Sequence, residues 1–346
     1  MAAQIFGLDI GTEAIKIAEV KLISGKKELN SLGSAPTPSR GALSESESDQ
    51  YALAESIRNL VREAKVSTPY VVASLPESQI FTRVIEMPSL TDSELQSAIK
   101  YESEQYIPIP LSDVKLDFEV ISRPQNGEDK KMDVLLVAAP NVLINRYLKI
   151  INMAGLKPHA LETEITAAVR SLLTNSQFAP TTLILEIGAT TTELSIVSDK
   201  KIVFTRSIAT GGAAFTRAVA QDLGFEPDQA EQYKRTYGLD STQLEGKITA
   251  AIKPIFDVIT GEVKRALAYW AGKHAENNIK RIVVAGGSAK MPGLIPYLAD
   301  ATGLEGQLGD PWQGLSFNPG LGREFKDEGP SYAIAVGLAL KELVTE

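Results

Sequence analysis

One stretch near the start of the chain decides the predicted fold: Ile5-Phe6-Gly7-Leu8-Asp9-Ile10-Gly11-Thr12-Glu13-Ala14-Ile15-Lys16-Ile17-Ala18-Glu19-Val20. Residues 4–10 are apolar and β-branched, and residues 14–20 alternate apolar with polar, which predicts two strands joined by a turn. The turn combines a carboxylate, a bare backbone and a hydroxyl: Asp9, Gly11 and Thr12. Such a turn can aim N–H groups and a hydroxyl at phosphate oxygens, while its carboxylate holds a hydrated Mg²⁺.

A second copy of this pattern strengthens the prediction. It reads Leu185-Glu186-Ile187-Gly188-Ala189-Thr190-Thr191-Thr192-Glu193-Leu194-Ser195-Ile196-Val197. Asp9 and Glu186 lie 177 positions apart, as do Gly11 and Gly188. A spacing that long is not the period of a solenoid. It predicts two similar halves, each offering an acidic glycine hairpin to a shared nucleotide cleft.

The composition is that of an ordinary globular protein and excludes several functions. The 346 residues are 44% hydrophobic and 23% charged, which suits two or more domains. A net charge of −8 argues against a nucleic-acid surface, since phosphate contacts need clustered Lys and Arg. Without cysteine the chain forms no disulfide or thiolate metal site, and its two histidines, His159 and His274, are far apart.

No part of the sequence predicts membrane insertion or export. No apolar run approaches the roughly 18–20 residues needed to cross a bilayer. The first residues lack the basic region of a signal peptide. We therefore expect a cytoplasmic protein that does not insert directly into a membrane.

Four other segments carry predictions that bear on the site. The Pro/Ser/Glu-rich passage from Ala35 to Gln50 predicts an exposed loop. Residues 161–170 predict a helix that ends near Leu173. Residues 281–290 predict a buried strand, two glycines and then a helix whose N-terminus favours phosphate. The last predicted helix, residues 332–343, carries small residues that allow close packing.

Four segments occur in the order found in the actin-like ATPase superfamily, which the chain resembles over nearly its whole length. They are Asp9-Ile10-Gly11-Thr12, Glu186-Ile187-Gly188-Ala189-Thr190-Thr191, Ala285-Gly286-Gly287-Ser288 and the small-residue helix at the end. The resemblance implies an α/β fold of two similar lobes around an ATP–Mg²⁺ cleft. It also implies that Asp9 and Glu186 hold Mg²⁺, with water between.

The resemblance implies further nucleotide-binding residues. The phosphates would be bound by the residues of the two hairpins, Gly11, Thr12, Lys16, Gly188, Thr190 and Thr191, and Gly211 and Gly212 are further nucleotide-binding residues. The adenosine would be bound by Glu231, Lys234, Gly286, Gly287 and Ser288. Glu164 resembles the glutamate that orients the attacking water in the chaperone and bacterial-actin branch. Much of the superfamily has Asp where this chain has Glu186, and the extra methylene moves the carboxylate. We therefore expect slow or negligible ATP hydrolysis.

Within the superfamily, the chain is similar to the PilM family of type IV pilus assembly proteins. The similarity lies in residues 98–111, followed by Val114-Lys115-Leu116-Asp117-Phe118, and in Lys234–Gly238 and Asp310-Pro311-Trp312. It implies a strand–helix–strand–strand subdomain inserted into the first lobe. The predicted division is 1–69 for the first part of lobe I, 70–158 for the insertion, 159–178 for a connecting helix, 179–330 for lobe II and 331–346 for a helix returning to lobe I.

The PilM resemblance also implies partners and a role for ATP. A PilM protein captures the N-terminal cytoplasmic tail of PilN and links the inner-membrane alignment complex to the pilus motor, so partners would recruit it to the inner face of the membrane. Other pilus assembly and motor components, and self-association, are further candidate interactions. Bound ATP would act mainly as a conformational clamp.

Two alternatives remain open at this point. A small-molecule kinase of the same superfamily would need a base beside a substrate pocket, and the sequence identifies none. An FtsA-like division protein would need filament formation and membrane attachment. FtsA ends in a basic amphipathic helix, and the sequence Lys341-Glu342-Leu343-Val344-Thr345-Glu346 lacks that pattern.

Overall fold

The computed structural model describes residues 4–38, 41–123, 131–173, 180–274 and 278–344. The strands are β1 (Phe6–Ile10), β2 (Ala14–Ile23), β3 (Lys26–Pro36), β4 (Tyr70–Leu75), β5 (Phe81–Pro88), β6 (Val114–Ser122), β7 (Lys131–Pro140), β8 (Lys157–Thr163), β9 (Thr182–Ile187), β10 (Thr192–Ser198), β11 (Lys201–Ile208), β12 (Arg281–Ala285), β13 (Glu305–Leu308) and β14 (Ser316–Phe317). The α-helices are α1 (Glu47–Glu63), α2 (Asp92–Glu104), α3 (Asn141–Met153), α4 (Glu164–Leu173), α5 (Gly212–Leu223), α6 (Pro227–Tyr237), α7 (Lys247–Lys273), α8 (Leu294–Thr302) and α9 (Ala333–Ala339).

The strands form two large sheets with the same internal order. One runs β14-β3-β2-β1-β4-β8, and the other runs β11-β10-β9-β12-β13. In the first, β1 pairs antiparallel with β2 and parallel with β4; in the second, β9 pairs antiparallel with β10 and parallel with β12. The prediction of two similar lobes, I and II, is confirmed.

The two hairpins repeat one another down to their hydrogen bonds. In the first turn the Gly11 N–H donates to the Ala14 carbonyl at 3.1 Å, and in the second the Gly188 N–H donates to the Thr191 carbonyl at 2.9 Å. The register is also conserved, because Asp9 lies opposite Lys16 and Glu186 lies opposite Glu193. All of these pairs are related by the offset of 177 residues.

A third sheet, in the order β5-β7-β6, forms the inserted subdomain together with α2. The helix begins with a capping box, in which the Thr91 hydroxyl accepts from the Glu94 N–H and the Glu94 carboxylate accepts from the Thr91 N–H. The predicted bounds 70–158 are too wide. β4 lies between β1 and β8 in the sheet of lobe I, and α3 packs in the core of that lobe through Leu143 and Tyr147. The sheet itself therefore spans only β5 to β7.

Two predictions for connecting segments are wrong. Residues 161–163 belong to β8, which pairs in parallel with β4, so the connecting helix α4 begins only at Glu164. The rest of that predicted segment, residues 174–178, lies outside the described residues. The passage from Ala35 to Gln50 is not simply exposed, since Ala42, Ser44 and Gln50 are buried and α1 begins within it.

Helices α4 and α9 lie between the lobes and pack closely against each other. Their apolar side chains share one core with residues of lobe I, lobe II and the insertion. Arg170 of α4 donates to the Gly337 carbonyl of α9 at 2.8 Å, and Ser171 donates to the Ala333 carbonyl at 2.7 Å. The last helix is shorter than the predicted range 332–343, and it is buried along its whole length. This layer joins the lobes at the base of the cleft.

Candidate functional site

The two hairpin turns meet across the cleft between the lobes. The Thr12 and Thr190 hydroxyl oxygens lie 3.3 Å apart, within hydrogen-bonding distance, although the residues are 178 positions apart in the chain. Each turn lies at the end of the strand that carries its acid, Asp9 on β1 and Glu186 on β9. The predicted phosphate turns therefore face a common space.

Asp9 is held at the floor of this space in a polar but dehydrated setting. Its side chain is buried, and the Ser74 hydroxyl of β4 donates to its Oδ1 at 3.3 Å. Burial raises its pKa, against the opposing effects of the Lys16 ammonium and the Ser74 hydroxyl. Burial and then the Asp9 carboxylate raise the pKa of Glu186 to about 7. The effect of Asp9 on Glu186 follows from their positions on opposite walls of one cleft.

Glu164, the first residue of α4, is the third acid at this floor. Its Oε2 accepts from the backbone N–H of Glu77 at 3.1 Å. Burial, followed by the Asp9 and Glu186 carboxylates, raises its pKa well above its usual value. The position predicted for a water-orienting residue is therefore next to both predicted magnesium carboxylates.

Glu193 is a fourth acid of the floor that the sequence prediction missed. It lies opposite Glu186 in the β9–β10 pair, at the position that Lys16 occupies in lobe I. Only 2% of it is exposed; its Oε1 accepts from the Ser207 hydroxyl, while its Oε2 has no hydrogen-bond partner among the described residues. Burial, followed by the Glu77 and Glu186 carboxylates, raises its pKa to about 8. Applying the offset of 177 to Lys16 would have identified it.

Glu164, Glu186 and Glu193 line one small cavity beneath the turns, together with Ser195. No cluster of three or more His, Asp or Glu side chains in the described ranges has the arrangement of a direct metal site. The donor set instead fits Mg²⁺, which keeps most of its waters and takes one or two carboxylates plus phosphate oxygens. Asp9 and Glu186 are the residues that would hold such an ion.

On the lobe II side, a polar network surrounds the start of α5. The Gly212 N–H donates to the Gly188 carbonyl at 2.9 Å, which joins the helix to the second turn. Lys234 of α6 is buried, and its ammonium donates to the Gly212 carbonyl, to Thr216 and to Glu231. Thr216 is a second residue that the prediction missed. These contacts place the predicted Gly212, Glu231 and Lys234 beside one another.

The charges in this network are strongly paired. Although burial opposes ionisation, hydrogen bonds from Lys234, Thr216 and Arg235 lower the pKa of Glu231 to about 2. Burial lowers the pKa of Lys234, against the raising effect of Glu231. In this wall of the cleft, the Glu231 carboxylate and the Lys234 ammonium therefore form an ion pair that fixes both side chains.

The glycine segment after β12 completes this wall. Gly286 has φ +90°, and a Cβ there would lie 2.5 Å from the Ile187 carbonyl and 2.6 Å from Glu186 Oε1, so only glycine fits. A Cβ on Gly212 would lie 2.5 Å from Ser288 Oγ, which shows how close the two segments are. Gly287 is open, with nothing within 4 Å of its Cβ position.

One prediction about this segment is wrong. Residues 286–290 form a turn rather than the start of a helix, because α8 begins only at Leu294. The Gly286 N–H donates to the Pro330 carbonyl and the Ser288 N–H donates to the Ile187 carbonyl, so these amides support the turn instead. No helix terminus is available there for phosphate, and the site offers a flat glycine surface.

The raised pKa of Glu193 predicts how stability depends on pH. An acid whose pKa rises from 4.5 to about 8 on folding is protonated in the folded chain and ionised in the unfolded chain between those values. The folded state then binds more protons, so stability falls as pH increases, by up to ~1.4 kcal/mol per pH unit. We expect Glu193→Gln, which mimics the protonated form, to stabilise the ligand-free protein at pH 8 and to have little effect at pH 5.

Urea unfolding at the two pH values measures this difference. Glu55→Gln on the exposed face of α1 serves as the control and should change stability equally little at both. A Glu193→Gln variant that is destabilised at pH 8 would contradict the prediction.

Comparison with known proteins agrees with this architecture. The model of the family described as type IV pilus assembly protein PilM matches residues 7–343. The chain is 30% identical to a chain of the solved PilM-PilN type IV pilus biogenesis complex, with 99% of each chain covered and a TM-score of 0.85. Cell division protein FtsA of Streptococcus pneumoniae serotype 2 is 23% identical over 90% of this chain and 77% of FtsA.

A more distant structure shares the fold alone. MreB 5 of Spiroplasma citri, solved with AMPPNP, is 15% identical, with a TM-score of 0.54 over 99% of this chain and 97% of that one. In the described part of the chain, no helix has the length and apolar character required to traverse a bilayer. The sequence motifs, the duplicated lobes and the match over residues 7–343 together show that the chain belongs to the PilM family of type IV pilus assembly proteins, with the actin-like ATPase fold.

Proposed function

We propose that the chain binds ATP with Mg²⁺ between its lobes and uses the bound nucleotide as a clamp. The observation that carries this proposal is the 3.3 Å approach of Thr12 to Thr190, which brings two equivalent glycine turns together over a floor of carboxylates. A triphosphate at this position contacts both lobes at once. If only the closed arrangement binds the nucleotide, a nucleotide concentration 100 times the dissociation constant stabilises that arrangement by about 2.7 kcal/mol.

We propose a set of contacts from both lobes to the nucleotide. Gly11, Thr12 and Lys16 bind phosphate from lobe I, and Gly188, Thr190, Thr191 and the Gly211-Gly212 segment bind it from lobe II. Asp9 and Glu186 hold Mg²⁺ through its waters. Glu231, Lys234 and the open surface of Gly286, Gly287 and Ser288 receive the nucleoside. The AMPPNP bound to the MreB 5 structure supports a nucleotide in a cleft of this fold.

Hydrolysis is proposed to be slow. We propose that Glu164 orients water, but burial and the neighbouring Asp9 and Glu186 carboxylates raise its pKa well above its usual value, which favours its protonated form. A protonated carboxyl group is a poor acceptor for a water proton, and such assistance is worth ~10²–10⁴-fold when it operates. The clamp needs binding only, so turnover sets how long it stays closed.

The proposed partner is the N-terminal cytoplasmic tail of PilN. Support comes from the solved PilM-PilN complex, which this chain matches over 99% of its length. We propose that the protein is cytoplasmic and that PilN and other pilus assembly components recruit it to the inner face of the membrane, where it links the alignment complex to the motor.

A peptide titration tests both halves of the proposal. A peptide of the PilN N-terminal tail from the same organism is titrated into the protein with and without Mg-ATP, and ATP binding is measured separately. We expect the peptide to bind and its affinity to change at least threefold when ATP is present. Absence of binding in both conditions would refute the assignment of the partner, while leaving the nucleotide site to its own test.

Gly287→Val provides that test. The new side chain enters open space, so the melting temperature should stay unchanged, but the side chain occupies the surface proposed for the nucleoside. We expect at least a tenfold loss of ATP affinity, equal to about 1.4 kcal/mol. Gly272→Ala on α7, where the Cβ position is equally open, is the control and should bind ATP normally. Unchanged affinity in Gly287→Val would contradict the proposed nucleoside site.

A further inference from the structure

A pair of reciprocal hydrogen bonds ties the start of the insertion to the floor of the cleft. Glu77 lies in the 3-10 turn Glu77–Gln79, between the end of β4 and the start of β5, and is only 5% exposed. Its backbone N–H donates to Glu164 Oε2 at 3.1 Å. Its own Oε1 accepts from the Ile165 N–H at 3.4 Å. Each residue thus fixes a group on the other's segment, although 87 positions separate Glu77 from Glu164.

This geometry constrains the Glu164 carboxylate from two directions. The first N–H groups of a helix have no partner within the helix, and a carboxylate beside them stabilises its N-terminus. Glu77 supplies that carboxylate to α4, which holds the backbone of the Glu164–Ile165 segment. Its N–H then holds one oxygen of Glu164, a residue that also lines the small cavity beneath the turns. Among the described residues, no other hydrogen-bond donor to Glu164 is observed.

The same turn is one of the two chain connections between the insertion and lobe I; the other runs from β7 into α3. Just beyond the turn on β5, the Thr82 carbonyl accepts from the Thr205 hydroxyl of lobe II at 3.0 Å. On β6, the Val120 and Ile121 carbonyls accept from the Lys201 ammonium of lobe II. A displacement of the insertion relative to either lobe therefore acts on the segment that carries Glu77.

We propose that Glu77 is a positioning residue that sets the Glu164 carboxylate for attack of water on the bound nucleotide, so that the insertion controls the rate of hydrolysis. This inference rests on the proposed nucleotide site, because Glu164 has a reaction to assist only when ATP is bound. A misplacement of about 1 Å in a reacting group can lower the rate ~10²-fold. Fixing one oxygen of the Glu164 carboxylate is therefore enough to change the rate of hydrolysis.

The test measures phosphate release in a single turnover, with protein in excess over ATP and Mg²⁺ present. The variants are Glu77→Ala, which removes the carboxylate, and Glu77→Gln, which retains the acceptor oxygen for Ile165. We expect Glu77→Ala to slow release about tenfold with an ATP dissociation constant within twofold of wild type. We expect Glu77→Gln to restore release to within threefold. Gln79→Ala, an exposed position of the same turn, is the matched control and should release phosphate at the wild-type rate.

A double-mutant cycle separates positioning from a general structural effect. In the Glu164→Ala background, the Glu77→Ala change should have no further effect on the rate, since effects that act through one residue are not additive. Additive slowing, or slowing equal in Glu77→Gln and Glu77→Ala, would overturn the proposal. Wild-type protein that binds ATP but shows no Glu164-dependent release would also overturn it. Failure of wild type to bind ATP would instead refute the proposed function.

Discussion

Gly337→Ala is expected to destabilise the folded protein by about 3 kcal/mol or more, although the substitution only adds one methyl group. A Cβ at this position of α9 would lie 1.8 Å from the Ala167 carbonyl oxygen and 2.4 Å from its carbon. Both atoms belong to the backbone of α4, so no side chain can rotate to make room. The two helices would have to separate.

Separation is costly because the other side of α9 is equally constrained. On β1, a Cβ on Gly7 would lie 2.0 Å from the Ala335 carbonyl of α9. The helix is therefore held between the central strand of lobe I and α4, with no free direction of movement. Moving it would also break the bonds from Arg170 to Gly337 and from Ser171 to Ala333.

Gly272→Ala is the matched control for this prediction. It is also a helical glycine, but it lies on the exposed end of α7 with nothing within 4 Å of its Cβ position. Alanine is the better helix former by about 0.8–1 kcal/mol, so this variant should be as stable as wild type or more stable. Thermal and urea unfolding measure both variants. A Gly337→Ala protein that melts within 1 °C of wild type would contradict the prediction, because it would show that α4 and α9 can separate at little cost.

The close packing of α9 was predictable from sequence, whereas its partner was not. Small residues at alternate positions of the last helix indicate a close approach, and the structure confirms one. Nothing in the sequence shows that Ala167 is the group approached, because that depends on how α4 crosses α9 in three dimensions. A local sequence pattern indicates that the side chains of a helix are small, but it does not identify the segment that packs against them.

The hairpins were predictable in more detail because their information is local and duplicated. Each contains its own strands and turn within about 15 residues, and the offset of 177 predicts the correspondence of Asp9 with Glu186 that both registers then show. The same offset relates Lys16 to Glu193. The reversal of charge at that pair was visible in the sequence, but its burial, and hence its effect on pKa, depends on packing between lobes.

β8 and the contact of Glu77 with Glu164 were not predictable, because both depend on segments that are distant in the sequence. Residues 161–170 have no glycine or proline to separate strand from helix. The local sign of a helix start is Thr163, whose hydroxyl accepts from the Thr166 N–H, and this does not show that residues 161–163 form a strand. What makes residues 157–163 a strand is pairing with β4, far away in the chain. The contact of Glu77 with Glu164 likewise joins segments 87 residues apart, and it is visible only once β4 and β8 lie side by side.

The double variant Asp9→Asn/Glu186→Gln is expected to lose the dependence of ATP binding on Mg²⁺. In wild type, the ionised fraction of the buried or partly buried acids Asp9, Glu164, Glu186 and Glu193 makes the cleft floor negative, although Glu193 stays protonated below about pH 8, and a triphosphate adds further negative charge. Without a metal ion this repulsion opposes binding, and Lys16 alone offsets only part of it. Mg²⁺ relieves the repulsion and bridges carboxylates to phosphate, so we expect it to tighten wild-type binding about 100-fold, or ~2.7 kcal/mol.

The double variant is expected to change both the affinity for metal-free ATP and the gain in affinity that Mg²⁺ provides. With neutral amides at both positions, ATP without metal meets less repulsion and should bind more tightly than it does to wild type. Mg²⁺ has lost its two protein carboxylates and should change the affinity less than fivefold. Folding should survive, because burial raises the pKa of Asp9 and of Glu186, and a neutral group of the same shape avoids that cost of burying charge.

Titration of ATP in the presence of EDTA or Mg²⁺ measures the four dissociation constants. Glu13→Gln removes one negative charge from the exposed part of the same turn, so it controls for the overall charge of the cleft and should keep the full Mg²⁺ effect. If the double variant also kept the full effect, the two carboxylates would not hold the metal. Because Asp9 and Glu186 come from opposite lobes, loss of the Mg²⁺ effect would show that the metal–nucleotide complex itself joins the two halves of the protein.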